Sequence, residues 1–421
     1  MTNTMTLFPG ITLRCFPDDR FKQAGLCIQI VRPMCREEAA MNALLPAVLL
    51  RGCASASDIR AITRRLDDLY GAAVGATVRR IGDYQTTGLS CGFVEDRLAL
   101  SGDKIMEPMM AFLKELLLCP ALENGVFRTD FVEGEKKNLT AVLESEINDK
   151  RTYASSQLFR KMCSADSFGI PRLGEKEDVA AITAESLYEH YRRILKESRI
   201  DIFYVGSADP DTVAGLMKDV FGGIERSYVN LPAQTPFRDG GKGEYTEQME
   251  VSQGKLAMGF TTPVTVGDPL LVPMQLLNLI FGAGMTSKLF MNVREKLSLC
   301  YDIGSGYHSA KGILTVSAGI DCDKVDEVRA EIMNQLAACR NGDITEAELA
   351  AAKQAIFSSA RATHDSVGSI ENYYSTAALN GLNLTPEEYM AAAQNTTLAD
   401  VVAAAKSLQL HTVYFLEGVS R

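Results

Sequence analysis

Histidine is scarce in this sequence, and the positions of the few that occur exclude one kind of metal site. The 421 residues include four histidines, at positions 190, 308, 364 and 411. A zinc site that takes two histidines from a single helix therefore cannot lie anywhere before His190.

Paired cysteines and long apolar runs are also missing. The ten cysteines stand singly, with no C-x-x-C spacing, which is typical of free thiols in a reducing compartment. The most apolar windows, Leu44–Leu50 and Pro269–Phe281, are shorter than the roughly 20 residues that a spanning helix needs. The first residues lack a basic segment followed by an apolar one, so we expect a cytoplasmic protein with no membrane contact.

The sequence has no excess of basic residues. It contains 43 basic and 53 acidic side chains, interspersed along the chain, for a formal net charge of −10. Binding to a phosphate backbone needs a concentrated basic face, so nucleic acid is not an expected partner.

The length suggests two domains, and the two halves repeat the same order of predicted elements at an offset of roughly 230 residues. The predicted strands are Leu26–Val31, Gln85–Val94 and Ile200–Val205 in the first half, and Leu256–Phe260, Gly312–Ile320 and His411–Leu416 in the second. The predicted helices are Ala40–Leu50, Ser57–Tyr70, Ile105–Leu118 and Phe131–Asn148, then Leu271–Ile280, Lys324–Ala338 and Thr345–Ala360.

This repeated order predicts an α+β fold with two homologous half-domains, each an antiparallel sheet covered by helices. Gly222 to Gly243 contains two prolines and two Gly-Gly pairs, as linkers do. We therefore predict an N-terminal domain at residues 1–225, a linker at 226–243 and a C-terminal domain at 244–421.

The most specific pattern is the segment 281–301, FGAGMTSKLFMNVREKLSLCY. Thr286 is the predicted N-cap of a helix, on which Leu289, Phe290, Val293 and Leu297 form an apolar stripe. The segment resembles the pattern G-x-S-x-L-F-x-x-V-R-E-K-x-G-L-x-Y in the C-terminal half of the insulinase/pitrilysin-type zinc peptidases. The resemblance covers nearly the whole chain, although only this segment is specific.

The zinc motif of the family, H-x-x-E-H, has no counterpart in this sequence. Arg51-Gly52 resembles the family's K-G, and on this anchor the histidine positions fall on Ala43 and Ala47 and the glutamate on Pro46. None of these side chains ligates a metal or accepts a proton, so we expect no metal in this chain. A proline costs about 3 kcal/mol inside a helix, so we expect the helix to begin near Pro46 or to kink there.

The third zinc ligand of the family is a glutamate on a later helix. Its match here stays open between Glu146 and a position near Val142. The acidic residues of 135–149 are typical of a solvated helix face, which is the interpretation we favour.

The family pattern assigns roles to two further residues of the 281–301 segment. In the family, an arginine and a tyrosine at the positions of Arg294 and Tyr301 reach the opposite half of the chamber and hold the peptide near the scissile bond. Guanidinium and phenol donors can bind a carbonyl and stabilise the developing oxyanion. Without the resemblance, the ordinary interpretation is a surface arginine and a strand tyrosine. Two positions depart from the pattern, with Ser298 in place of a glycine and Lys288 in place of an arginine.

Three more residues are candidate substrate contacts, namely Gly282, Gly284 and His308. His190 has no second histidine nearby, and we expect it to be a surface or partly packed residue.

The resemblance implies a non-catalytic subunit of a heterodimeric zinc peptidase. A paralogous partner with an intact H-x-x-E-H would carry the zinc, and this chain would bind the peptide and supply Arg294 and Tyr301. Two alternatives stay open. One is a purely structural subunit of a protein complex, and the other is a peptide-binding homodimer.

Overall fold

A computed structural model describes residues 3–419 of the chain. The chain divides into two compact units, and each unit draws residues from both halves of the sequence. The first unit comprises Met1–Glu144, Ile170–Ala233 and His364–Thr376, and the second comprises Ser145–Gly169, Gln234–Thr363 and Ala377–Arg421.

The first unit is built on a six-stranded sheet with the order β1-β2-β8-β3-β5-β4. All neighbouring strands are antiparallel except β2 and β8, which are parallel. A separate two-stranded sheet consists of β6 and β7. The strands are β1 Asn3–Phe8, β2 Ile11–Pro17, β3 Gln23–Pro33, β4 Ala73–Ile81, β5 Tyr84–Val94, β6 Leu122–Glu123, β7 Val126–Phe127 and β8 Arg199–Gly206.

Helices cover one face of this sheet and enclose an apolar core with it. They are α1 Arg36–Leu49, α2 Ile59–Asp68, α3 Met106–Leu118, α4 Thr129–Ser145, α6 Lys176–Ala181, α7 Ala184–Glu197 and α8 Pro210–Phe221. On the helix-covered side of the central strand β3, Leu26, Ile28 and Ile30 are buried in this core.

The opposite face of the same sheet is contacted by residues 364–376, which include the start of α12 (Val367–Asn380). Glu371 lies 2.8 Å from Nη2 of Arg79 and accepts a hydrogen bond of 2.7 Å from Nε2 of Gln29. Because Gln29 and Glu371 are both buried, this polar contact fixes the segment on the sheet.

The second unit has a five-stranded sheet with the order β11-β12-β10-β13-β9. Its pairs are antiparallel except β13 and β9, which are parallel. The strands are β9 Gly243–Met249, β10 Gly254–Thr261, β11 Cys300–His308, β12 Ile313–Ile320 and β13 Gln409–Gly418.

The helices of the second unit include one from the first half of the sequence. This helix, α5 (Lys150–Met162), packs on β10 and β13, where Ala154 and Leu158 join a buried cluster with Ala257 and Tyr414. The others are α9 Leu271–Asn278, α10 Val325–Asn341, α11 Glu346–Ala362, α13 Pro386–Asn395 and α14 Leu398–Ser407, with π-helical segments at Leu279–Ala283 and Leu289–Lys296.

The predicted fold class is confirmed, since two mainly antiparallel sheets each carry a layer of helices. Each predicted strand and helix is present, with ends that differ by a few residues. Helix α11 begins with a capping box between Thr345 and Glu348, and α13 begins with one between Thr385 and Glu388. No helix or strand lies between Phe221 and Gly243, a stretch that includes the predicted linker. The division into domains at 226–243 stays a prediction.

Within residues 3–419, none of the helices combines the length and the apolar character needed to cross a membrane.

Candidate functional site

Helix α1 occupies the part of the chain where the resemblance places the zinc motif. It runs from Arg36 to Leu49 as one element with Pro46 inside it. The first of the two expected alternatives, a helix that begins near Pro46, is therefore wrong, because the helix starts ten residues earlier. A kink at Pro46 stays a prediction.

A neighbouring strand explains how α1 accommodates this proline. Pro46 has no N–H, so the carbonyl of Asn42, four residues earlier, loses its usual helical donor. The hydroxyl of Thr87 on β5 donates a hydrogen bond of 2.6 Å to this same carbonyl. The proline thus leaves no unpaired backbone acceptor at this position.

The three motif positions present no metal-binding atoms. Ala43 and Pro46 are buried and Ala47 is half-buried. Across the described part of the chain, no group of three or more histidine, cysteine, aspartate or glutamate side chains is placed to hold a metal ion. The residues present at the motif do not fit zinc.

A buried hydrogen-bond network, which the sequence did not reveal, connects α1 to α7 and β5. His190 on α7 is 3% exposed, so the expectation of a surface or partly packed residue is wrong. Its Nε2 lies 2.8 Å from Oδ1 of Asn42, and its Nδ1 lies 3.0 Å from Nη2 of Arg193. Since the arginine can only donate, Nδ1 is the acceptor and Nε2 carries the proton. Asn42 in turn donates to Oε1 of Gln85 over 2.9 Å.

This network requires the neutral imidazole. Burial of the ring lowers the pKa of His190 to about 4, because the charged form loses its hydration. A protonated Nδ1 would also face the guanidinium of Arg193 without an acceptor between them. Polar residues in otherwise apolar strands, such as Gln29 in β3 and Asp201 in β8, are sequence signals of buried polar contacts in this unit.

The third zinc-ligand position of the resemblance lies near the end of α4. The helix ends at Ser145, earlier than the predicted Asn148, and Glu146 falls in the 3₁₀ turn that follows. Val142 is 52% exposed. Glu144 pairs with Lys176, and Glu135 lies 3.2 Å from Nη1 of Arg51. The match to the family ligand stays open between Glu146 and a position near Val142.

The 281–301 segment in the second unit forms a turn and a π-helix before it enters β11. The backbone N–H of Phe290 lies 3.4 Å from the hydroxyl of Ser287, so Ser287 takes the capping position predicted for Thr286. Leu289 and Val293 are buried as predicted, but Leu297 is 46% exposed. The N–H of Leu297 bonds to the carbonyl of Asn292, five residues earlier, as in a π-helix. The apolar stripe was predicted from the spacing of an α-helix, which this wider turn does not keep.

The fold brings Arg294 and Tyr301 together. Nε of Arg294 donates a hydrogen bond of 2.9 Å to the backbone carbonyl of Tyr301. Nη1 donates to Glu295 over 2.8 Å, and the guanidinium carbon lies 4.6 Å from the ring centre of Phe290. Nη2 has no hydrogen-bond partner among residues 3–419. The guanidinium is therefore oriented by three neighbours and keeps donors for a ligand.

The side chain of Tyr301 is accessible. The residue is 56% exposed, and its hydroxyl lies 3.4 Å from Oδ1 of Asp321. Both candidate groups of this segment are thus within reach of a bound molecule.

The two departures from the family pattern are accommodated differently. Ser298 has a φ of 52°, the left-handed conformation that glycine adopts without strain. Lys288 is buried, and its ammonium lies 2.9 Å from Oε1 of Glu348, the glutamate of the α11 capping box. The turn before Tyr301 keeps a glycine-like backbone, and the lysine has a structural ion pair.

The other three candidates lie in the same unit. A Cβ on Gly282 would lie 2.7 Å from Oγ of Ser305 and 2.8 Å from a methyl of Leu289, so the glycine permits close packing of the first π-helical segment on β11. Gly284 begins the next turn, where its N–H bonds to the Leu279 carbonyl. The ring of His308 meets two phenylalanines edge-on, at 5.0 Å from Phe159 and 5.8 Å from Phe168. A role of these residues in substrate binding stays a prediction.

Comparison with protein families gives a match over part of the chain. Residues 181–356 match the family model described as the peptidase M16 inactive domain.

One known relative is similar over nearly the whole length, and another over about half of it. The chain is 30% identical to a protein of Bacillus subtilis named "Probable inactive metalloprotease YmfF", over 97% of this chain and 96% of the relative. It is also 27% identical to the uncharacterized zinc protease YmxG of the same organism, over 55% of this chain and 58% of the relative.

Solved structures share the fold. A conserved protein from Enterococcus faecalis superimposes with a TM-score of 0.91 at 29% identity, covering 100% of this chain and 99% of the other. The peptidase M16 inactive domain from Pseudomonas fluorescens superimposes with a TM-score of 0.82 at 18% identity, covering 100% and 98%. The chain therefore belongs to the M16 family of insulinase/pitrilysin-type zinc peptidases, as a member in which the zinc-binding residues are absent from helix α1.

Proposed function

We propose that this chain is the non-catalytic subunit of a heterodimeric zinc peptidase. It binds an extended peptide in a chamber shared with a paralogous subunit, and that subunit holds the zinc in an intact H-x-x-E-H. This chain supplies Arg294 and Tyr301 to the partner's active site.

The contact between Arg294 and the Tyr301 carbonyl carries the proposal. An arginine on a solvated surface helix has many rotamers, and fixing it costs side-chain entropy. Here Nε is bound at 2.9 Å and the cation lies on the Phe290 ring, while Nη2 stays available. A guanidinium held in this way is suited to donate to a substrate carbonyl oxygen.

The chemistry expected of the two side chains is electrostatic. As water attacks the scissile carbonyl in the partner's site, negative charge develops on the carbonyl oxygen. Donors placed in advance stabilise this charge more than they stabilise the uncharged substrate, and removal of one such donor typically lowers the rate about 10²–10³-fold.

Co-expression of the chain with an H-x-x-E-H paralogue tests the proposal. We expect Arg294→Ala to lower kcat/KM for a fluorogenic peptide by about 10²-fold. Tyr301→Phe should lower it less, because a neutral phenol stabilises a developing negative charge less than a guanidinium does. The matched control is Arg361→Ala, which removes an exposed arginine of the same unit outside this segment.

Size-exclusion chromatography of each pair separates a catalytic effect from a failure to assemble. A fully assembled Arg294→Ala pair with unchanged turnover would contradict the proposal. If turnover is unchanged and the bound peptide contacts only the partner subunit of the assembled pair, the chain acts as a structural subunit. A peptide-binding dimer formed by the chain alone would favour the homodimer instead.

A further inference from the structure

A cleft on the helical side of the first unit has a charge opposite to that of the whole protein. It has a volume of about 440 Å³ and lies between α3, α7 and the turn that follows α8. Its walls include the buried side chains of Leu195 and Val220 and the half-buried side chains of Leu118 and Ile224. This volume is in the range of sites for small organic molecules.

Three cations and one carboxylate line the cleft. They are Lys114 on α3, Arg192 and Lys196 on α7, and Glu225 after α8. The lining thus has a net positive charge of two, although the chain as a whole has a net charge of −10. A concentration of one sign against the overall charge favours an anionic ligand.

The cations on α7 are not neutralised by strong ion pairs. Arg192 has no hydrogen bond or ion pair to any residue that the structure describes. Lys196 lies 3.7 Å from Glu225, whose side chain is 90% exposed. Exposed pairs of this kind contribute about 0–1 kcal/mol, so an incoming anion can replace the carboxylate.

Helical spacing places an aromatic ring beside these cations. Tyr188, Arg192 and Lys196 are four residues apart on α7 and share one face of that helix. Tyr188 packs edge-on against Phe127 at 5.4 Å, which fixes the plane of its ring. Across the cleft, Lys114 donates a hydrogen bond of 2.6 Å to the carbonyl of Asp219, which holds its ammonium at the rim.

We propose that this cleft binds a small organic anion that joins a phosphate or carboxylate to a flat apolar body. Arg192 and Lys196 pair with the anionic group, and the apolar body lies against Tyr188 and the leucine side chains. The cleft contains no residue of the 281–301 segment, so this site does not depend on the function proposed for Arg294.

Isothermal titration calorimetry on the purified chain tests the site. The probes are adenosine 5′-monophosphate and indole-3-propionate, one for each kind of anionic group. Adenosine and inorganic phosphate are the matched fragments. We expect at least one of the two anions to bind, and each fragment alone to bind at least about tenfold more weakly, because it uses only half of the cleft.

Charge-removing variants locate the binding. The double variant Arg192→Gln/Lys196→Gln should weaken binding at least about tenfold. The control Arg60→Gln/Arg64→Gln makes the same change of charge on exposed positions of α2 and should leave the affinity unchanged. Circular dichroism melts verify that both variants fold.

Two results would overturn the site. One is the absence of binding of both anions at millimolar concentration. The other is an equal loss of affinity in the two double variants, since that would mean that net charge, and not the cleft, attracts the anion.

Discussion

The buried imidazole of His190 makes stability depend on pH in a defined direction. The ring is 3% exposed and neutral, and the network on α1 needs it to be neutral. In the unfolded chain the same ring takes up a proton below its ordinary pKa of 6.5, whereas in the folded chain burial lowers the pKa to about 4. Between these two values the unfolded state binds more protons than the native state, so stability falls as the pH falls.

The size of the effect follows from the two pKa values. One unit of pKa difference corresponds to about 1.4 kcal/mol, so the full difference amounts to about 3 kcal/mol at pH 4. At pH 5 the loss is about 2 kcal/mol, and at pH 7 it is nearly zero. A loss of this size is a large fraction of the stability of an ordinary domain.

Urea unfolding of the wild type and of His190→Gln at several values between pH 7 and pH 4.5 measures this loss. Glutamine can still donate to Asn42 but does not titrate. The variant should be less stable at pH 7, by about 1 kcal/mol for the lost partner of Arg193, and should match or exceed the wild type near pH 5. Carboxylates away from the ring affect both proteins equally and cancel in the difference, whereas the charge of Glu38 acts on the ring itself and does not cancel.

The matched control is His364→Gln, a substitution of a half-buried histidine outside this network. It should not reproduce the reversal in the order of stability between pH 7 and pH 5 that is expected of His190→Gln. If the curves of the wild type and His190→Gln run parallel from pH 7 to pH 4.5, His190 is not held neutral by the fold.

Two further predictions concern backbone strain and pairing. Thr87→Val removes the donor to the Asn42 carbonyl and should lower the free energy of unfolding by about 1–3 kcal/mol. Thr86→Val should be neutral or stabilising, because the buried Thr86 hydroxyl has no partner among the residues that the structure describes. Equal losses in the two variants would refute the role of Thr87. Ser298→Gly should raise the stability by about 1 kcal/mol, because glycine adopts a positive φ without strain. Ser298→Ala keeps the strain and should give no gain. Thermal melts of the wild type and the two variants measure the difference.

The fold class could be predicted from the sequence because it depends on local patterns. Strand and helix positions follow from the spacing of apolar residues, and helix starts follow from caps such as Thr345 with Glu348. These interactions span a few residues, so they can be recognised without any knowledge of distant contacts.

Other features were not predicted because they depend on residues far apart in the chain. The Thr87 hydroxyl that allows Pro46 to lie within α1 belongs to another strand, and Asn42 meets His190 across 148 positions. The π-helix around Arg294 changes the spacing that the Leu297 prediction assumed. Residues 145–169 belong to the unit built mainly from the second half of the sequence, and residues 364–376 belong to the unit built mainly from the first half. No local sequence pattern indicates either assignment.

Helix α1 and the segment before Tyr301 differ in how they accommodate costly features. On α1, each feature that would be costly is compensated, since Thr87 satisfies the Asn42 carbonyl and the buried histidine has two partners. The segment that precedes Tyr301 instead retains a π-helix and a serine at a φ of 52°. A left-handed residue other than glycine costs about 1–2 kcal/mol, and such strain persists where surrounding structure enforces it, often at functional sites. At this position the strain accompanies the turn that brings the Tyr301 carbonyl to Arg294. The role proposed for Arg294 and Tyr301 therefore depends on this turn.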